Sequence, residues 1–573
     1  MQNSVRPTQA KLALRRRRPD LLGLLVTALT LIAALALIAP TLALVLKSLI
    51  SDASGALGLD NYHRVLEARR LPSVIWNTVV LGVGSVAVMF VIATPLAWLY
   101  ARTDFHWRGA IMIGATCQLA TPGFLVALGY LFLLNPSNGL INQWWRALTG
   151  GTDPLMNVYS MTAIVLLQGL SMVGPAFYFL APALSHVDGA LEEAASAHGL
   201  GKWKTFVFIL LPITLPTLLS TALFFLVIAV ETFDFAGMLG MPARISVVAT
   251  WIYQFTQASF AAPEYGAASA IGVMTAIVLL ALMVVQGLVF RRSFAIATLG
   301  GKSRSASVIL SRGAQRAAKL MFCTFLALGF AVPFAMLVWT ALLPVQQPPS
   351  WAALQSISLD GFGPQFWAEL RNIGGATLVL ALVVPTLVVS LTSAMAWTAT
   401  LNRKAARIIE VAVVSCLAVP SIVIAIMFLV GALSLHAYLP IYGSIVVLIL
   451  AIGTRYLATA FRITQNAFAQ VDPELIQAAR TLGVPSGITL TGIMVPMLRA
   501  SLIFAWFWVA LLTLRELPIT LVLSTYDLQT LASRIFLYNS SGETQQAAAL
   551  SLALFAIVAV FLVGFFRFVR FTR

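Results

Sequence analysis

The sequence predicts an all-α integral membrane protein with twelve transmembrane helices in two parallel six-helix repeats, and three observations predict it. The 573 residues are 60% apolar and only 10% charged, with mean hydropathy +0.92, where soluble domains carry roughly 25% charge. Twelve apolar runs reach the about 20 residues a helix needs to cross a bilayer. Thr78, Ala97-Trp98 and Arg108 recur 299 residues later as Thr377, Ala396-Trp397 and Arg407. Six spans per half is an even number, so both halves keep one orientation and the duplication is parallel.

Residues 1–20 form a basic tail carrying Arg15 to Arg18. The first repeat, 21–290, holds runs 21–46, 74–99, 110–134, 159–183, 213–236 and 267–290. Run 21–46 is too long for a signal-peptide core and lacks a cleavage site, so it is expected to be a retained first span. Segment 51–73 is expected on the periplasmic side, with Asp52, Asp60, Glu67, Arg69 and Arg70. A basic linker, 291–317, joins it to the second repeat, 318–568, with runs 318–343, 373–400, 409–434, 442–465, 498–523 and 546–568; residues 569–573 close the chain. The offset between halves falls from 299 to 298 at Pro122 and Pro420 and to 284 further on, which predicts a shorter periplasmic connection in the second half.

A net charge of +16 raises the question of nucleic acid. With twelve spans, however, the arginines and lysines of the tails, of the linker and of the loops at Arg102 and Arg403 share one side. The positive-inside rule makes that side cytoplasmic, puts both termini there and assigns the charge to topology beside a lipid bilayer, with no nucleic-acid partner. Cys117, Cys323 and Cys416 have no metal-ligand or disulfide spacing, and the five histidines form no short-spaced cluster. Gly301-Lys302-Ser303 has Ile296 where a phosphate-binding loop needs glycine. The chain is expected to bind no cofactor of its own and to be no enzyme; whether it binds metal stays open.

Two polar loops repeat in register. After Val187-Asp188 come Glu192, Glu193, Ala194, Ala195, Gly199, Ile209, Leu211 and Pro212; after Val471-Asp472 come Gln477, Ala478, Ala479, Gly483, Ile493, Val495 and Pro496. Asp188 and Asp472 suit helix N-caps, Pro473 suits a first helical position, and Gly199 and Gly483 suit left-handed helix ends. Each copy therefore reads as two short helices joined at a glycine, with a small-residue face shaped to be gripped.

Ionisable side chains deep in a span are costly and face a cavity or a partner. Glu231 and Asp234 lie in one such place, Arg515 and Glu516 in its counterpart, and the offset of 284 sets Arg515 opposite Glu231. Two readings stay open: a gate or a contact for a cationic solute, or a structural Glu231–Arg515 ion pair near the periplasmic mouth. For Arg455 and Arg462, pairing or snorkelling is expected over a path lining. Tyr253, Tyr265, Tyr526 and Tyr538 are expected in an interfacial belt.

The repeated loop resembles the E-A-A-x3-G-x9-I-x-L-P loop of ABC importer membrane subunits; the first copy matches throughout, while Gln477 and Val495 depart from the pattern in the second. With the segments around MLGMPARISVVATWIYQ and RELPITLVLSTYDLQTLASRIF, the chain is similar to the fused permeases of the ferric-iron importer family. That resemblance implies a type I importer permease fold, a homodimeric cytoplasmic ATPase carrying ATP and Mg, a periplasmic solute-binding protein, and coupling through the two loops. Ferric iron leads the implied solutes, with thiamine, polyamines and 2-aminoethylphosphonate as alternatives. A secondary transporter shares the twelve-span count but needs no such loops; a membrane enzyme lacks a cluster of acid–base groups.

Overall fold

A computed structural model describes residues 21–185, 189–257, 263–297, 308–417 and 419–571. Eight helices are long and apolar enough to cross a membrane, and twelve result if each of four bent helix pairs is one span. The bends have chemical causes. Arg108–Ala120 meets Gly123–Leu134 at 90°, and Arg403–Cys416 meets Ser421–Leu435 at 102°. At the first bend Pro122 holds Thr121 extended (φ −72°, ψ 126°) and begins the next helix as its N-cap; Pro420 is the N-cap in the second half. Proline excludes the preceding residue from helical backbone, so the two prolines that align between the halves are both corners.

The halves interlock. Leu21–Leu49 packs on Tyr265–Ala297 of its own half and on Gly375–Leu401, Arg403–Leu417 and Ser421–Leu435 of the other. Its Thr30 hydroxyl lies 3.1 Å from that of Thr398, both buried. The second half reciprocates. Val332–Ala341 lies against Gly123–Leu134 so closely that a Cβ on Gly129 would fall 2.5 Å from the Pro333 carbonyl oxygen and 2.6 Å from its Cα. Nearby, Tyr130 donates to the Leu328 carbonyl at 2.6 Å. One continuous cluster of buried apolar side chains accordingly draws on both halves.

Helix Leu140–Thr149 and the turns around it fill the connection after Leu134, where the second half passes from Leu435 to Ile445 through turns alone. This difference accounts for the change in offset. The linker is fastened on one side: Val308 N–H donates to the Arg102 carbonyl (2.8 Å), and Asp104 accepts from Leu310 N–H (2.8 Å) and from Gln315 (3.2 Å). Lys319 sits 5.1 Å from the centre of the Trp107 ring. Gly301-Lys302-Ser303 lies outside the described residues.

Candidate functional site

The two repeated loops fold alike. Gly189–Ala197 and Pro473–Thr481 are short helices, and Gly199 (φ +75°) and Gly483 (φ +73°) end them in the left-handed region. In the first, Leu200 N–H donates to the Ala195 carbonyl and Gly199 N–H to Ser196; in the second, Val484 N–H donates to Ala479 and Gly483 N–H to Arg480, all at 3.0 Å. These are Schellman ends. A Cβ on either glycine would meet nothing within 4 Å, so the backbone angle, not space, calls for glycine. Ala195 and Ala479 are buried, at 4% and 5% exposure, while Ala194, Gln477 and Ala478 are exposed. The second alanine of each copy thus packs inward and supplies the capping carbonyl.

Asp472 caps its helix by accepting from Glu474 N–H at 2.9 Å, with Pro473 in the first turn. Asp188 and the side chains of Glu192 and Glu193 lie outside the described residues. Beyond each glycine the chain passes through one π turn, Phe206–Leu210 and Thr489–Met494, before Pro212 and Pro496. Only the second copy then breaks again: Ser486–Met497 meets Arg499–Leu514 at 78°.

The charged residues deep in the spans meet at the seam between the halves, and of the two open readings the Glu231–Arg515 ion pair is not formed. Glu231 pairs with Arg455 of the other half, not with Arg515; the two side chains are 10% and 15% exposed. Equivalent sequence positions do not face each other here: Arg455 projects from Ile445–Ala469, a helix packed within its own half, and its side chain reaches across the seam to Glu231. Arg455 is ten residues into that helix, about 15 Å at 1.5 Å per residue, and meets Glu231 at the last residue of Leu211–Glu231. Arg462 lies 4.0 Å from Glu410 in an exposed contact. Its separation from Arg455 by two helical turns hid the difference in partners.

Arg515 reaches instead into the first half and donates to the Leu119 carbonyl at 2.7 Å. That carbonyl belongs to the last turn before the 90° corner. Asp234 lies on the other side of the corner, where a Cβ on Gly123 would fall 2.7 Å from its Oδ2 and the Phe124 backbone N–H is directed at it. A cation therefore meets a helix C-terminus and an anion the next helix N-terminus, the favourable sense for both dipoles. Glu516 is buried, accepts from the Tyr456 hydroxyl and from Ile519 N–H (3.3 Å), and so fixes the start of Pro518–Leu523. Two atoms of the network lack partners, Glu231 Oε2 and Arg455 Nε.

Beside this network Phe233 stacks edge-on with Tyr253 at 5.4 Å and meets Phe536 of the other half at 6.1 Å. Tyr538 donates to Glu369 and carries Arg534 4.3 Å above its ring. Burial, then its bond to Glu369, pushes this phenol up to about 12, so it stays a donor. Tyr253 and Tyr538 are thus packing and clasp residues, whereas Tyr526 is 96% exposed. Among the described residues no group of three or more His, Cys, Asp or Glu side chains is placed to hold a metal ion.

Two interlocked six-span halves, each with a helix–glycine–helix loop and joined by a charged seam, define a duplicated multi-pass transport permease. The family model for the inner membrane component of binding-protein-dependent transport systems matches residues 93–294 and again 386–571, and the chain belongs to that family of transport subunits. It is 26% identical over 454 residues to a Haemophilus influenzae protein assigned as a ferric transport system permease, covering 77% of this chain and 68% of that one. It is 23% identical over 521 residues to the ferric transport system permease protein of Actinobacillus pleuropneumoniae, covering 89% and 73%. The diacetylchitobiose uptake system permease of Streptomyces coelicolor is 24% identical over 250 residues, covering 41% and 74%.

Proposed function

We propose that this chain supplies both membrane halves of an ATP-driven importer for ferric iron, with its two termini and both helix–glycine–helix loops in the cytoplasm. A homodimeric ATPase binds ATP and Mg and grips the two loops; a periplasmic binding protein delivers the solute. The observation that carries this reading is the duplication itself. One chain holds two gripping loops with the same capped ends, and the ferric permease relatives align across both halves, whereas the chitobiose permease aligns over less than half of the chain.

In the proposed cycle, closure of the ATPase dimer moves the loops at Asp188, Glu192, Glu193, Ala194, Ala195, Gly199 and Pro212 and at Asp472, Gln477, Ala478, Ala479, Gly483 and Pro496. Each short helix carries one buried alanine and ends in a left-handed corner, through which motion passes on to the following span. The halves then rock apart, and the seam of Glu231, Arg455, Asp234, Arg515 and Glu516 opens as a gate. Ferric iron is cargo in this scheme. The test is co-expression with a candidate ATPase followed by hydrolysis in lipid vesicles: stimulation by a ferric-loaded binding protein supports the reading, and failure of the chain to co-purify with any ATPase counts against it.

A further inference from the structure

At the linker end of the molecule the start of the second repeat lies against the first. Arg108–Ala120 and Arg312–Leu326 run side by side in the same direction: Trp107 meets Phe322 at 6.4 Å between ring centres, and a Cβ on Gly114 would fall 2.8 Å from Leu326. The second helix has two faces. Gln315, Ala318, Phe322 and Phe325 are buried, while Arg312, Arg316, Leu320 and Cys323 are exposed and Lys319 is half-buried, the division expected of a 3.6-residue turn. Lys319 lies 5.1 Å from the centre of the Trp107 ring, and Arg108 follows Trp107 as the first residue of its helix. Four cations, one from the first repeat and three from the second, thus line one stretch of surface beside a tryptophan.

Among the described residues no ion pair takes up Arg108, Arg312, Arg316 or Lys319. Asp104, the carboxylate next to them in the chain, turns to Leu310 N–H and Gln315. Each of the two helices opens with an arginine and has no acidic residue in its first turn, although the dipole disfavours a cation there. Helix stability therefore does not account for these arginines, whereas an anion outside the protein would. The spacing matches a membrane surface. At 1.5 Å per residue, Arg316 stands about 4.5 Å and Arg312 about 10 Å beyond Lys319 along the helix axis, and the headgroup layer is about 5–8 Å deep on each side of a bilayer. Toward the span the same face turns apolar, with Leu320 69% exposed. Trp107, 41% exposed, sits at the boundary, where tryptophans collect.

We infer that Arg108, Arg316 and Lys319, with Arg312 further out, bind the phosphate of an anionic phospholipid whose acyl chains lie along Leu320 and Cys323 at the junction of the two repeats. Basic pockets between membrane helices hold anionic headgroups in this way. A free phosphate or an acidic soluble protein would use the cations but leave the exposed Leu320 and Trp107 without a role. The bound lipid ties the first span of the second repeat to the first repeat, beside the strap at Val308. The site stands on the geometry of this junction and not on what the chain transports.

The experiment uses the full chain in phosphatidylcholine nanodiscs into which phosphatidylglycerol with brominated acyl chains is titrated, brominated phosphatidylcholine being the neutral comparison. The readout is the fluorescence of Trp107, taken as the difference between wild type and Trp107→Phe, which bromine quenches on contact. Wild type is expected to be quenched at a lower mole fraction of phosphatidylglycerol than of phosphatidylcholine. Arg108→Ser with Arg316→Ser and Lys319→Ser should lower that preference by roughly fivefold per cation removed, until the two lipids quench alike. Arg108→Lys with Arg316→Lys and Lys319→Arg should keep most of it, which separates lost charge from a lost fold. Arg403→Ser with Lys404→Ser and Arg407→Ser, exposed in the corresponding loop of the second repeat, remove the same charge elsewhere and should leave the Trp107 signal unchanged. Equal quenching of wild type by the two lipids, or an equal loss in both serine triples, overturns the inference. So does loss of the preference to inorganic phosphate but not to chloride at the same ionic strength, which makes the occupant a free anion, or to an added ATPase, which makes this face a protein contact.

Discussion

Removing Arg455 from the seam should release the two halves from each other. In Arg455→Met the Glu231 carboxylate, 10% exposed and with Oε2 already lacking a partner, is left buried beside an apolar side chain. Breaking a buried ion pair from one side costs about 3–5 kcal/mol. Because the pair joins the halves, that cost falls on the state in which they are together and not on the state in which water reaches Glu231. At about 1.4 kcal/mol per factor of ten, the balance should move toward the parted state by roughly two to three and a half orders of magnitude. The assay is ATP hydrolysis by the assembled complex without a binding protein: Arg455→Met and Glu231→Gln should each raise this idle rate, while the double variant, with no charge left to bury, should return toward the wild-type value. Single effects that simply add, with a coupling energy under about 0.5 kcal/mol, would refute the claim that this pair latches the seam.

Other expectations follow from close approaches and from backbone angles. Gly129→Leu should abolish accumulation of folded chain, since its Cβ would lie 2.5 Å from the Pro333 backbone, whereas Gly287→Ala, with nothing within 4 Å, should be tolerated; detergent-resistant yield by size exclusion tells them apart. Gly199→Ala should cost the loop about 1–2 kcal/mol from its positive φ and lower uptake per ATP hydrolysed, while Gly201→Ala, also in open space, should leave that ratio unchanged. Asp104→Ala removes the acceptor of Leu310 N–H and Gln315 and should speed protease cleavage near residue 308 without loss of either half.

Much of the fold was legible in the sequence because membrane spans and duplications write themselves in composition and spacing. The apolar runs, the parallel repeat and the left-handed ends at Gly199 and Gly483 all follow from local chemistry. The shared proline at 122 and 420 marked a correspondence between the halves, yet the right-angled corner needed the structure, since a proline in a span also permits a mild kink. The crossing of Leu21–Leu49 onto the other half was illegible: a uniformly apolar helix does not encode which apolar neighbour it meets. The Glu231–Arg515 ion pair, one of the two readings open from sequence, does not form for a related reason. Sequence offset identifies equivalent positions, but two related positions need not touch, and here Arg455 occupies the place across the seam while Arg515 serves the Leu119 carbonyl. Charge in an apolar run is the signal that singles out Arg455 in the sequence and predicts pairing or snorkelling; the identity of its partner, Glu231, needs the structure.

The most direct measurement of the central claim is uptake of radiolabelled ferric iron into vesicles containing this chain and its ATPase, with ATP supplied on the ATPase side and a loaded binding protein on the other. Uptake that requires all three, and that stops when ATP is replaced by a nonhydrolysable analogue, is the result expected of a single chain forming both halves of the path. Uptake driven by an ion gradient without ATP would contradict it.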